Sequence, residues 1–331
     1  MPEASFFNSL SVIIPTFNRK GLLGKALSGY LAQSSPQLIR ELLVVDDGST
    51  DGTESLVGEF SKRSPFPIHY FPQPNKGPAA ARNVGIREAR SNLVLFTDSD
   101  IVPKGDLVEQ HIAWHQRNPN LNTAVLGYVT WPLEIKATPF MRWYGEGRLF
   151  EFDKLRNKRE ASFHTFYTCN LSLKTEFLRT SGQFDEEFKR AAFEDVELGY
   201  RLSKQGLRLL YNTAAIGYHY QFFSFADACR KTLGNAAAAQ LFLQKEAGQQ
   251  DLQAIQRRHA RARYSLAKTV AAGVARLLFP ARRLIDSSIP LPSVVYYLFL
   301  WDSLRRATRE STVTTSHSET EPNRPATFSG P

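Results

Sequence analysis

Leu93-Val-Leu-Phe-Thr-Asp-Ser-Asp100 joins an apolar run to two carboxylates spaced i and i+2. Such a run has the character of a buried strand. If the strand pleat persists to its end, alternation puts Asp98 and Asp100 on the same side, where a divalent cation can meet one or both. Ligands of open α/β sheets bind outside the carboxyl ends of the strands, so acids at this position suit a phosphate-bearing substrate. A solvated turn after a strand is the competing reading, and a short motif alone does not separate the two.

The surrounding sequence has the rhythm of an α/β fold. Ser11 to Ile14, Glu41 to Asp46, Ile68 to Phe71, Leu93 to Thr97 and Ala124 to Thr130 read as strands. Gly21 to Gln33, Thr53 to Arg63, Gly77 to Ala89 and Lys104 to Arg117 read as the helices between them, the first with an apolar stripe of Leu22, Leu23, Ala26, Leu27, Tyr30 and Leu31. Repeated strand-helix-strand units predict a mainly parallel central sheet flanked by helices. Beyond it, Leu171 to Leu173 reads as a short strand, and Thr175 to Thr180 and Phe193 to Gln205 as helices. Residues 131–168 are irregular and rich in aromatic side chains, which either form a satellite core or stack on a sugar.

With 331 residues, 42% apolar and 22% charged, the chain can fill a core, and disorder is not its default. Cys169 and Cys229 stand far apart, which argues against a disulfide framework or zinc site and fits a reducing cytosol. The first ten residues lack the basic-then-apolar order of a secretory signal, and no apolar run is long enough for a membrane span, so a cytoplasmic protein is expected. The net charge is +9, with most of the excess between Gln249 and Glu310. No recognised nucleic-acid motif accompanies it, and nucleic acid is not an expected partner.

Five segments share one order along the chain: Ile13-Ile-Pro-Thr-Phe-Asn-Arg19, Val44-Val-Asp-Asp-Gly-Ser-Thr-Asp-Gly-Thr53, Asn75-Lys-Gly-Pro-Ala-Ala-Ala-Arg-Asn83, Thr97-Asp-Ser-Asp100 and Phe193-Glu-Asp-Val-Glu-Leu-Gly-Tyr-Arg201. Pro15 is expected to break the strand ladder and leave Thr16, Asn18 and Arg19 at the sheet's carboxyl edge, where a base or ribose can bind. Asp46 and Asp47 can accept from a base imino group or ribose hydroxyls. Lys76 and Arg82, at the start of a helix, suit a diphosphate. Glu194 and Asp195 open another helix, where acids are favoured by the dipole whether or not they act in catalysis.

In this order the segments resemble the inverting family-2 glycosyltransferases, of GT-A nucleotide-sugar-binding fold, over roughly residues 10 to 225. The resemblance implies that Asp47 contacts the base, that Arg82 lies near the nucleotide, and that Asp100 binds Mn²⁺ or Mg²⁺ with Asp98 beside the ribose or the metal's hydration shell. It further implies Asp195 as general base, Glu194 as its acceptor-binding or orienting neighbour, and His219, in Gly217-Tyr-His-Tyr-Gln221, as a possible late metal ligand. The implied partners are a nucleotide-sugar donor, with UDP-sugar preferred, and a saccharide or lipid-linked acceptor. A non-catalytic nucleotide-sugar-binding scaffold and a sugar-phosphate nucleotidyltransferase are the alternatives. The latter needs a Gly-rich loop after the first strand, which Pro15-Thr-Phe-Asn-Arg19 is not.

The expected organisation is a catalytic domain over residues 1–225 with an acceptor-side insertion at about 131–168, a helical basic extension over 226–310, and a disordered tail over 311–331. Val294-Val-Tyr-Tyr-Leu-Phe-Leu-Trp301, followed by Arg305 and Arg306, fits either an interfacial helix on an anionic membrane surface or a helix packed on the domain. The first alternative implies peripheral attachment to the inner face of the plasma membrane.

Overall fold

The computed structural model describes residues 7–145, 149–150, 152–155, 157–250, 284–300 and 302–303. In chain order the first half contains β1 (Leu10–Thr16), α1 (Lys20–Leu31), β2 (Ile39–Asp46), α2 (Thr53–Arg63), β3 (Ile68–Pro72), α3 (Pro78–Glu88), β4 (Leu93–Thr97), β5 (Ile101–Pro103), α4 (Leu107–Arg117) and β6 (Thr123–Thr130). There follow α5 (Pro139–Tyr144), β7 (Glu160–Ala161), β8 (Asn170–Lys174), α6 (Thr175–Ser181), α7 (Glu194–Lys204), β9 (Arg208–His219), α8 (Phe225–Gly234) and α9 (Ala236–Gln244).

Pleating divides the core in two. Val12 and Ile14 of β1 and Leu93 and Leu95 of β4 face α1, α2 and α4, where they meet Leu23, Leu27, Val57, Phe60 and Ile112. Ile13, Val94 and Phe96 point the other way and meet Ile86 of α3, Phe177 of α6 and Leu198 of α7. Burial on both faces is why these strands are apolar throughout. At Gly85 a side-chain carbon would stand 2.4 Å from Ile13 Cγ2, so α3 reaches β1 only because this residue has none.

The strand order is β3-β2-β1-β4-β8-β6-β9-β5, with β7 added on β9. β3, β2, β1 and β4 are parallel, as the strand-helix alternation predicts. The other half is mixed: β6 and β9 are parallel, whereas β8 opposes both β4 and β6, and β5 and β7 oppose β9. The long 131–168 segment allows this, because it returns the chain to the rim at which β4 ends, and β8 enters the sheet from there. The ladder break expected at Pro15 appears on one side only: β1 pairs with β4 as far as Ile13, but with β2 through to Thr16.

A polar chain crosses the core beside β8. Asn170 Nδ2 donates to the Tyr128 and Ala215 carbonyls, so its Oδ1 accepts from His111 Nε2 at 2.9 Å. His111 Nδ1 then accepts from Ser172 Oγ at 2.7 Å, and that oxygen accepts from His115 Nε2 at 2.8 Å. Lys174 Nζ closes the run by donating to His115 Nδ1 at 2.9 Å and to the Asn118 carbonyl at 2.8 Å. The sequence shows no histidine cluster, yet an i, i+4 pair on α4 meets around one serine.

The aromatic insertion serves mainly as core. Phe140, Met141 and Tyr144 pack with Phe223, Phe225, Tyr296, Phe299 and Leu300, so residues 293–300 dock on α5 and α8, while Phe150 and Phe166 join the main core. α9 packs on the outer side of α7. Residues 251–283 and 304–331, with Arg257 to Arg263, Arg282, Arg283, Arg305, Arg306 and the expected disordered tail, lie outside the described residues.

Candidate active site

The chain reverses direction across the sheet between β1, which leads to β2 and β3 on one side, and β4 on the other. This is where ligands of α/β sheets enter. Asp98 and Asp100 follow β4 here, but not on a continued pleat: β4 ends at Thr97, and Ile101 N donates to the Asp98 carbonyl at 3.0 Å across a turn. The two acids therefore take different partners. Asp98 Oδ1 accepts from Arg82 Nη2 at 2.9 Å, whereas the buried Asp100 meets Arg19 and lies 3.5 Å from His219 Nε2. The pairing of Ile101 with His219 in the β5–β9 ladder brings that histidine to Asp100. Burial acts to raise the Asp100 carboxyl, but His219 and Arg19 outweigh it and hold the group well below the ordinary range.

Asp46 and Asp47 are both turned toward their own loops. Asp46 accepts from Ser49 N at 2.8 Å and from the Tyr70 hydroxyl at 2.6 Å, one bond on each oxygen. Both oxygens thus already serve the turn that follows β2 and the neighbouring β3. Asp47 accepts from Gln73 Nε2 at 2.6 Å, Lys76 N at 2.8 Å and Gly77 N at 2.9 Å. It thereby fixes the entry to α3, and the Lys76 side chain is left exposed. Asn18, at φ 49°, bonds Ser49 Oγ through its amide and accepts from Thr50 N at 2.9 Å, which ties the β1–α1 loop to the β2–α2 loop. Pro15 is half-buried and Thr16 is buried.

Arg82 links the acidic segments. Buried at 3% exposure, it donates through Nη1 to Glu194 Oε1 at 2.8 Å and through Nη2 to Asp98, over the Phe184 ring at 5.6 Å. Glu194 is raised by burial, against the pull of Arg82. Asp195 is pushed up to about 7 by burial and by the Glu194 charge, with Arg82 opposing. The Cys169 thiol is driven well up by burial and then by the charges of Asp98, Asp195 and Asp100. Gly77, whose amide Asp47 holds, abuts the loop that leads into α7: a side-chain carbon there would stand 2.7 Å from the Lys189 carbonyl oxygen. Thr16 Oγ1, Arg82 Nε and His219 Nδ1 are buried here without hydrogen-bond partners, an arrangement suited to a polar ligand.

A profile described as Glycosyl transferase family 2 matches residues 11–178, just over half of the chain. The chain belongs to glycosyl transferase family 2. It is 32% identical over 231 residues to validoxylamine A glucosyltransferase of Streptomyces hygroscopicus subsp. limoneus, an alignment covering 62% of this chain and 51% of that one. It is 28% identical over 243 residues to hyaluronan synthase of Pasteurella multocida, covering 64% and 24% respectively. The chain thus spans about half the length of the first relative and less of the second. The solved mannosyltransferase PcManGT from Pyrobaculum calidifontis, in complex with GDP-Man and Mn²⁺, shares the GT-A fold at TM-score 0.58 and 19% identity, over 94% of this chain and 90% of that one.

In this family-2 chain, Asp98, Asp100, Asp195, Glu194, Arg82, Arg19 and His219 come together, while Asp46 and Asn18 serve their loops. Among the described residues no group of three or more His, Cys, Asp or Glu side chains is arranged to hold a metal ion. At this rim Asp100 and His219 form an adjacent oxygen and nitrogen donor pair, and Asp98 faces Arg82 instead. Sequence reasoning missed Asn83, which brackets the Phe184 backbone with an N–H···O bond of 2.9 Å each way, and Phe193, a non-glycine residue at φ 68° just before Glu194. Asn83 stands beside Arg82 in a quoted segment, but its partner lies 101 residues away.

Proposed function

We propose that the protein is a metal-dependent inverting glycosyltransferase that moves a sugar from a nucleotide-sugar, UDP-sugar first among the candidates, to a hydroxyl acceptor in polysaccharide or glycolipid biosynthesis. The observation that carries this is the Arg82 bridge from Asp98 to Glu194, which sets the raised Asp195 carboxyl beside the Asp-x-Asp rim. Asp195 takes the acceptor hydroxyl proton as that oxygen attacks the anomeric carbon. The bond from that carbon to the diphosphate oxygen breaks on the opposite face, and the nucleoside diphosphate leaves. Arg19 and Lys76, both exposed, supply positive charge to the diphosphate. Asp100 and His219 are the residues to hold Mn²⁺ or Mg²⁺, which when bound adds charge at the leaving group. Glu194, fixed by Arg82, orients the acceptor. The names of the curated relatives, a glucosyltransferase and a hyaluronan synthase, agree with sugar transfer.

The test is a thermal-shift screen of nucleoside diphosphates with and without Mn²⁺, followed by turnover of the matching nucleotide-sugar. One diphosphate should raise the melting temperature only with the metal, and Asp100→Ala should abolish the rise. No shift with any nucleotide, or full turnover in Asp195→Asn, defeats the reading.

The site of action we infer is the cytoplasmic surface of the plasma membrane. No described helix is long and apolar enough to cross a membrane. Ile289, Val294 and Tyr297 nonetheless expose apolar surface in a part of the sequence flanked by basic residues. Co-sedimentation with anionic and neutral liposomes tests this: equal pelleting with both, or with neither, removes the electrostatic attachment.

A further inference from the structure

α9 lies outside the rim, yet it is joined to Phe193, two residues before the proposed base. Phe193 holds φ 68°, a conformation that costs a bulky residue energy and persists only where surroundings enforce it. The Phe242 ring of α9 stacks on Phe193, with centroids 5.1 Å apart and planes at 23°. Phe242 is itself buried, in a cluster with Phe188, Tyr200, Ala238 and Ala247. Polar ties from the two residues that follow α9 anchor its end. Lys245 pairs with Asp185 at 2.7 Å and with Glu187 on the loop leading into α7, and Glu246 accepts from the Tyr200 hydroxyl at 2.6 Å on α7 itself. The same loop meets Gly77 at Lys189.

We propose that α9 is a brace for the catalytic helix: Phe242, wedged against Phe193, holds the strained entry to α7 and so positions Glu194 and Asp195. Phe242 is a positioning residue, since it touches neither carboxylate. The catalytic consequence rests on the function proposed above, but the mechanical one does not. Without the ring, Phe193 relaxes toward ordinary backbone angles and the first turn of α7 loosens, while the β1–β4 side of the site keeps its own contacts.

Amide hydrogen exchange and steady-state kinetics on the full chain test this together. In Phe242→Ala, exchange in residues 190–198 should rise about tenfold while β1–β4 stays protected, since local opening is independent of the global transition. Turnover should fall about tenfold or more with the donor KM unchanged, because misplacing a catalytic group affects the chemical step. Phe242→Leu, which keeps an apolar wedge, should recover most of the turnover. Lys245→Met, which removes the ties to Asp185 and Glu187 without opening the cluster, should loosen the same segment to a smaller extent and serves if Phe242→Ala fails to fold. Unchanged exchange in 190–198 overturns the brace, as does a rise in donor KM equal to the loss in turnover. Wild-type protein inactive on every nucleotide-sugar would defeat the proposed function instead, and the exchange result would still decide the brace.

Discussion

Burial and the Glu194 charge lift the Asp195 carboxyl to about 7, so the proposed base carries its proton below that pH and is free to accept one above it. Turnover per active site should therefore fall tenfold per unit as pH drops below about 7. Asp195→Asn should lose about a hundredfold or more in kcat above pH 7, with the deficit narrowing at lower pH as the wild-type base protonates, read from initial rates of nucleoside diphosphate release. Arg82 is the residue whose loss the fold should feel most at this site. Arg82→Met strands a fully buried carboxylate at Glu194, and we expect about 3 kcal/mol of destabilisation in urea titration. The Asp98 side of the bridge, with a side chain 37% exposed, adds little of that. These roles were only half legible in the residues. Asp98, Asp100, Glu194 and Asp195 announce themselves as acids at element ends, whereas the function of Arg82 depends on a partner 112 positions away. For Asp46, a carboxylate that shapes a turn and one that awaits a ligand look the same in one dimension.

Among the elements, those that bury a full face could be read before any coordinates. β1 to β4 and α1 to α4 have apolar positions spaced at the strand or helix period, and each lies within a few residues of its predicted span. β5 and β7, at three and two residues, are too short to have a period, and β9 carries Asn212 and Thr213 through its middle where its register with β6 shifts. The antiparallel entry of β8 is a matter of topology, to which local pattern is blind. At the contact of α3 with β1, Gly85→Ala should push the helix off Ile13 and cost about 1–3 kcal/mol in thermal or urea unfolding.

For the molecule as a whole, the polar chain beside β8 sets a pH dependence of stability. Burial lowers Lys174 from 10.5 to about 7 and His111 from 6.5 to about 4. Between each pair of values the unfolded chain binds a proton that the folded one does not, so stability rises with pH across both windows and is lost as pH falls through them. Asp195 acts in the opposite sense between 3.8 and about 7, where the folded form holds the extra proton. Urea midpoints measured from pH 7 to 9 should therefore increase in the wild type, and Lys174→Met should flatten that increase. The order in which the sheet is completed has a further result during synthesis. β1 to β4 can assemble once residue 97 has left the ribosome, but the neighbour that covers the far side of β4 begins only at Asn170. Throughout that interval the nascent chain presents an open strand edge with unpaired backbone groups and largely apolar side chains, so polypeptides released before β8 emerges should need a chaperone to stay dispersed.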